Sequence, residues 1–171
     1  MAPDPLLGLS IGELGAKIRS GETSPTALAR AAIEALDSAG RELNAVATVM
    51  EDRAMRAAER AEAELASGHD RGPLHGIPWG AKDLLAAVGA PTTWGATPFR
   101  DQVFDFDATV VKKLEQAGAV LVAKLAMVEL AGGMGYEELD AAWTGPGRNP
   151  WDHNSWAGGS SSGSGAAVAA R

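Results

Sequence analysis

The 171-residue sequence contains no cysteine. Disulfide bonds, a thiolate nucleophile and cysteine-ligated zinc or iron–sulfur centres are therefore excluded within these residues. Basic residues are also scarce, because 15 Lys and Arg stand against 22 Asp and Glu and leave a net charge of −7. A chain without a broad basic surface has little attraction for phosphate backbones, so we expect no direct contact with nucleic acid.

Long apolar runs and export signals are missing as well. The most apolar stretch, residues 117–123, ends at Lys124 and is too short to cross a bilayer. The N-terminal residues contain Asp4 and lack the basic start and apolar centre of a secretory signal. The composition, 46% hydrophobic and 22% charged, is that of a folded globular chain. We therefore expect a cytoplasmic protein without a membrane segment.

Residues 1–70 are predicted to form a helical prelude. Ser10 and Glu13 have the spacing of a capping box before a first helix, and Ser24 caps a second. A third helix is predicted over 51–66, where alanines repeat on one face at helical spacing. A narrow alanine face of this kind favours close packing on another element.

The pattern changes after residue 71. Residues 77–81 predict a short buried strand, and residues 119–123 predict a second, apolar one. Between them Asp107 is predicted to cap a helix whose inward face carries Val110, Val111 and Leu114. Strand, helix and strand in this order favour an α/β fold, with residues 71–171 as the start of its core.

The last forty residues are rich in glycine. Glycine and proline predict a long loop from Gly132, and residues 149–154 predict a polar turn. A Gly/Ser run at 158–165 then precedes an alanine-rich helix at 166–170. Because that helix has no stop signal, we expect the sequence to be the N-terminal part of one larger domain.

The Gly/Ser run is either a flexible linker or an anion or oxyanion site at the start of a helix. A phosphate-binding loop is excluded because no lysine follows the glycines. A dinucleotide fingerprint lacks the preceding strand and has Val168 where its third glycine is needed. The GxSxG pattern at 159–163 would make Ser161 a nucleophile, but the apolar strand that such an elbow requires is absent upstream.

Few other side chains predict chemistry. Lys82, at a predicted strand end, is either a solvated charge or, if buried, a base whose pKa is lowered by desolvation. Asp83 beside it is assigned a structural role. The histidines do not have the spacing of metal ligands, and we expect no metal site; they are His69, His75 and His153.

Four segments together resemble, in the correct order, the amidase signature family. They are residues 72–83, 91–95, 107–111 and 158–170. The resemblance covers nearly the whole chain and implies an α/β/α fold with a mixed central sheet, incomplete here and preceded by helices. It also implies hydrolysis of linear carbon–nitrogen amide bonds without a cofactor.

The resemblance further implies a Ser–cisSer–Lys mechanism. Lys82 matches the family lysine and Ser160 matches the cis-serine. In this mechanism a neutral lysine accepts a proton, through the cis-serine, from a second serine that forms an acyl-enzyme. That nucleophilic serine is expected beyond Arg171. The supporting residues implied are Gly158, Gly159 and Ser161.

The resemblance leaves substrate and partners open. Gly132, Gly133 and Met134 are the implied substrate-binding residues, and the substrate class is a small amide. A homodimer is one possible assembly, and the A subunit of the tRNA-dependent amidotransferase, with its partner subunits, is a rival within the family. A third alternative is a truncated, non-catalytic chain, and we expect residues 1–171 alone to be inactive. Trp79 and Gly80 stand where small aliphatic residues are commoner.

Overall fold

The computed structural model describes residues 4–132, 138 and 142–170. A three-stranded mixed sheet forms its centre, and the strands are β1 (Val46–Val49), β2 (Pro78–Lys82) and β3 (Val120–Leu125). The middle strand, β3, pairs antiparallel with β1 and parallel with β2. The predicted α/β class with a mixed sheet is confirmed.

Three helices precede or follow β1 in the chain. They are α1 (Ile11–Ser20), α2 (Pro25–Ala35) and α3 (Glu51–Ala66). The predicted caps are confirmed, because Ser10 and Glu13 form the capping box of α1 and the Ser24 hydroxyl accepts from Ala27 N. Small side chains let α2 and α3 lie close to β3 in a common core, which includes Ala29, Ile33, Ala54, Ala58 and Val122.

The prediction that residues 1–70 are entirely helical is wrong at 46–49. These residues form β1, and Val49 pairs with Ala123 on β3. Directly after the strand, the N–H of Met50 donates to Val122 O at 2.8 Å. Its conformation depends on a partner more than 70 residues away, so a four-residue segment between helices gives no clear local signal.

The sheet also packs on residues 81–90 and on α4 (Thr109–Gln116). Asp107 does not cap α4 as predicted. Its carboxylate accepts from Arg53 at 2.8 and 2.9 Å and from Val88 N at 2.7 Å, and it is therefore occupied elsewhere. Val110 is exposed, whereas Val111 is buried. The predicted inward face is therefore wrong at Val110 and confirmed at Val111.

The C-terminal region is more ordered than predicted. The turn predicted over 149–154 is confirmed only at residues 150–151, because the residues on either side form an antiparallel hairpin of β4 (Arg148–Asn149) and β5 (Asp152–Trp156). Helix α5 (Ser162–Ala170) begins inside the Gly/Ser run, four residues earlier than predicted. Single turns complete the described structure at Pro5–Gly8, Leu36–Gly40, Thr97–Phe99 and Glu129–Ala131.

Candidate active site

Lys82 and Ser160, 78 residues apart in sequence, meet at the end of β2. Lys82 Nζ lies 2.7 Å from Ser160 Oγ, which is hydrogen-bonding distance. Both residues are half-buried. Burial lowers the pKa of Lys82, and no charged side chain among the described residues contributes to that shift. A lysine in this setting loses its proton more readily than one in water.

The backbone of Ser160 is fixed to the segment that follows β3. The Gly159–Ser160 peptide bond is cis, and Ser160 O accepts from Val128 N at 3.0 Å. Three residues further on, Gly163 N donates to Ala126 O at 2.9 Å. These bonds hold the Gly/Ser run on the core, so the linker alternative is wrong.

Two glycines of the run allow this close packing. A Cβ on Gly163 would overlap the backbone of Ala45 and Ala126, and one on Gly159 would lie 2.7 Å from Val128 Cγ2. The run therefore follows the core surface at a distance that larger residues do not permit. Gly158, the first residue of the run, has a φ of 81°, which glycine adopts without strain.

The other predicted site residues lie apart from the Lys82–Ser160 contact. Ser161 is exposed, its carbonyl accepts from Gly165 N at 3.1 Å, and within the described residues its side chain has no hydrogen bond to Ser160. Gly132 is half-buried and follows the turn at Glu129–Ala131. Gly133 and Met134 lie outside the described residues.

Asp83, the residue after Lys82, belongs to a separate buried network. Its Oδ2 accepts from Thr93 N at 3.1 Å and from the Thr93 hydroxyl. Its Oδ1 accepts from Lys124 Nζ at 2.8 Å, and both side chains of that ion pair are 0% exposed. Trp143 Nε1 adds a hydrogen bond to Thr93 Oγ1 at 2.7 Å. Asp83 is thus held from two separate parts of the chain, and its predicted structural role fits this geometry.

Lys124 is the residue that sequence reasoning missed. Its ammonium donates to Asp83 Oδ1, to Thr92 Oγ1 at 2.9 Å and to Pro91 O at 3.1 Å. Three acceptors match the three N–H donors of a protonated lysine. Burial lowers the pKa of Lys124, and the Asp83 carboxylate opposes that shift. The available signal was a single lysine inside the apolar strand VLVAKL. In the sequence this lysine marks the end of an apolar run, which gives no sign of its pairing.

The part of the chain that the structure describes contains neither a candidate metal site nor a candidate membrane-spanning helix. No group of three or more His, Cys, Asp or Glu side chains is arranged to hold a metal ion there. His75 is buried, and its Nδ1 accepts from Arg71 N at 3.1 Å, which is a structural contact. Within the same residues no helix has the length and apolarity needed to cross a membrane.

Comparison with known proteins places the chain in a family. The Amidase family model matches residues 27–171, and the chain therefore belongs to the amidase family. The resemblance on which the sequence analysis depends is confirmed.

Individual relatives agree with this assignment. The chain is 41% identical over 167 residues to the Mycobacterium tuberculosis protein named "Putative amidase AmiD", and the match covers 98% of this chain and 34% of that protein. It is 41% identical over 165 residues to the A subunit of the glutamyl-tRNA(Gln) amidotransferase of Anaeromyxobacter dehalogenans, covering 96% of this chain and 33% of that one. The native peptide amidase of Stenotrophomonas maltophilia superposes with a TM-score of 0.86 at 34% identity, over 95% of this chain and 34% of that one. The chain thus spans about a third of the length of these proteins.

Proposed function

We propose that this chain carries the base and the proton relay of an amide hydrolase. The observation that supports this most strongly is the 2.7 Å contact between Lys82 Nζ and Ser160 Oγ. A lysine whose pKa is lowered by burial, and which contacts a hydroxyl rather than a carboxylate, is suited to accept a proton. Family membership supports an amide as the substrate class.

In the proposed reaction, neutral Lys82 takes the proton of the Ser160 hydroxyl while Ser160 takes the proton of a second, nucleophilic serine. The oxygen of that serine attacks the amide carbonyl and forms a tetrahedral intermediate. The C–N bond then breaks, the proton returns through Ser160 to the leaving amine, and an acyl-enzyme remains. Water attacks the ester by the same relay and releases the acid.

The nucleophilic serine is proposed to lie beyond Arg171, as the family resemblance implies. Among the described residues, no serine other than Ser160 is hydrogen-bonded to Lys82. Ser162 is buried at the first turn of α5, and Ser161 is exposed. We therefore propose that residues 1–171 alone do not turn over amides.

A second candidate function is that of an amidotransferase A subunit. The observation that favours it is the 41% identity to the Anaeromyxobacter dehalogenans protein. Glutamine hydrolysis that needs co-purifying subunits would favour this candidate, whereas turnover of simple amides by the protein alone would contradict it. The cytoplasmic location expected from the sequence stays a prediction, which cell fractionation would test.

The experiment uses the protein at the length at which its source makes it, established by intact mass. Lys82→Ala and Ser160→Ala are each expected to lower kcat/KM for a simple amide by about 10³-fold or more. Lys113→Ala on α4 and Ser67→Ala after α3 are matched controls, because both side chains are exposed. Activity of Lys82→Ala within about threefold of wild type would contradict the proposal, since general bases contribute about 10²- to 10⁴-fold.

A further inference from the structure

Two lysines lie near Asp83, one next to it in sequence and one on the neighbouring strand. The Asp83 side chain pairs with the second. Lys82 precedes Asp83 directly, and Lys124 lies opposite Ala81 on the neighbouring strand β3. A lysine beside a carboxylate is held in its charged form, in which it cannot accept a proton. The choice of partner therefore bears on whether Lys82 can act as a base.

The backbone separates the two lysines. Asp83 N donates to Leu125 O at 2.8 Å, so the ladder between β2 and β3 continues one residue past Lys82. Successive residues of a strand point to opposite faces of a sheet. Accordingly, the Lys82 side chain contacts Ser160, and the Asp83 side chain contacts Lys124 and Thr93.

We propose that Lys124 is a positioning residue for Lys82. Its ammonium neutralises the Asp83 carboxylate and fixes it, so that Lys82 has no carboxylate partner and is aimed at Ser160. This inference rests on the proposed function of Lys82 as the base. It adds a residue on a second strand, whose hydrogen bonds within the described residues go to Asp83, Thr92 and Pro91.

The charged groups on the elements around Lys82 are few. Helix α5 and residues 157–161 before it contain none. Glu129 lies on the segment after β3, and the charged residues of α2 are exposed. None of these charges contributes to the lowered pKa of Lys82, whose cause is burial. Among the described residues, the charged groups on these elements are Asp83, Lys124, Glu129, Arg30 and Glu34.

The test removes the charge of Lys124 and keeps a hydrogen-bond donor. In Lys124→Gln, the Asp83 carboxylate remains as an uncompensated negative charge next to Lys82 and makes its amine harder to deprotonate. The ascending limb of kcat/KM against pH is expected to move to higher pH by about one unit, which lowers the rate at neutral pH about tenfold. Lys124→Arg keeps the charge, and its limb is expected to stay at the wild-type position even if packing lowers the rate.

A second pair of variants separates charge from packing. Lys124→Met removes the charge and every donor, and the same upward shift is expected. The double variant Asp83→Asn with Lys124→Met removes both charges, and its limb is expected to return to the wild-type position. All variants are made in the native-length protein, and folding is checked by circular dichroism and thermal melting.

Two results would overturn the inference. One is a limb at the wild-type position in folded Lys124→Gln or Lys124→Met, which would leave Lys124 with a purely structural role. The other is failure of both Lys124→Gln and Lys124→Met to fold while the double variant folds. This would show that Lys124 serves folding and does not position Lys82. Retained activity in Lys82→Ala would instead remove the proposed function. In that case an NMR titration of the Lys82 ¹³Cε signal, in wild type and in Lys124→Gln, would still show whether Lys124 sets the pKa of Lys82.

Discussion

Lys82 and Lys124 lie on adjacent parallel strands of one small sheet, yet their surroundings differ in kind. Lys124 is 0% exposed and donates to a carboxylate, a hydroxyl and a carbonyl, so every N–H of its ammonium is used. Lys82 is half-buried, and within the described part of the chain its amine hydrogen-bonds to a serine hydroxyl alone. Burial lowers the pKa of both amines, and a carboxylate opposes that shift only at Lys124. The two lysines therefore differ in their partners as well as in their burial.

The largest expected difference between the two lysines concerns stability. Lys124→Ala leaves the Asp83 carboxylate buried without a counter-ion, which is expected to cost about 3 to 5 kcal/mol of unfolding free energy. Lys82→Met removes a contact to a neutral hydroxyl and is expected to cost less than about 1.5 kcal/mol. Chemical denaturation of both variants measures the contrast. Equal losses of unfolding free energy in the two variants would contradict the expected difference between the two lysines.

A second prediction concerns how Ser160 is held beside Lys82. Gly163→Ala places a methyl group against the backbone of Ala45 and Ala126 and is expected to cost about 1 to 3 kcal/mol, because the core there is already full. Gly165→Ala is the matched control on the same helix. The nearest atom to its Cβ would be Ala157 O at 3.9 Å, and a gain of about 0.5 to 1 kcal/mol is expected.

Thermal or chemical unfolding distinguishes the two alanine variants. A Gly163→Ala protein as stable as Gly165→Ala would show that α5 and the Gly/Ser run are not packed tightly against residues 45 and 126. The positioning of Ser160 would then need another explanation.

The third prediction is the pH dependence of the proposed reaction. Only neutral Lys82 accepts a proton, and burial lowers its pKa below the ordinary 10.5. The value of kcat/KM is therefore expected to rise about tenfold per pH unit below that pKa and to level off above it. Lys82→Ala is expected to abolish this limb and Lys113→Ala to retain it. A limb centred at or above 10.5 would contradict the assignment.

The smallest expected effect concerns an exposed ion pair, which contrasts with the buried one. Arg19 holds the pKa of Asp70 at about 2, below its ordinary 3.8, and Gly72 N also donates to that carboxylate. The stabilisation is complete above about pH 4 and is lost as the pH falls towards 2. Because solvent screens the pair, Asp70→Asn is expected to change the fall in melting temperature between about pH 4 and pH 2 only slightly. A large change would show that the pair is less exposed than the structure indicates.

Local signals in the sequence predicted the parts of the fold that depend on neighbouring residues. The caps at Ser10 and Ser24 and the helix over 51–66 are confirmed, because each depends on contacts within one or two turns. Residues 46–49 were assigned to the helical prelude because their strand conformation comes from pairing with β3. The hairpin of β4 and β5 was missed because polar residues with a proline resemble a turn.

In the candidate site, too, part of the arrangement was predicted from sequence motifs, and part depends on contacts between distant residues. Lys82 and Ser160 were named from the ordered motifs of the family resemblance, and the structure brings their side chains together. Spacing alone gives no indication that Asp83 pairs with Lys124, 41 residues away, rather than with its neighbour Lys82. That pairing follows from the register of β2 against β3, which only the fold determines.

The measurement that tests the account most directly is an NMR titration of the lysine side chains in the native-length protein. Residues 1–171 contain only five lysines, so Lys82→Met and Lys124→Gln suffice to assign the two that matter. The account predicts that Lys82 titrates below 10.5 and that Lys124 keeps its proton over the pH range in which Lys82 loses it. Titration of Lys82 at or above 10.5, or earlier loss of the proton from Lys124, would contradict it.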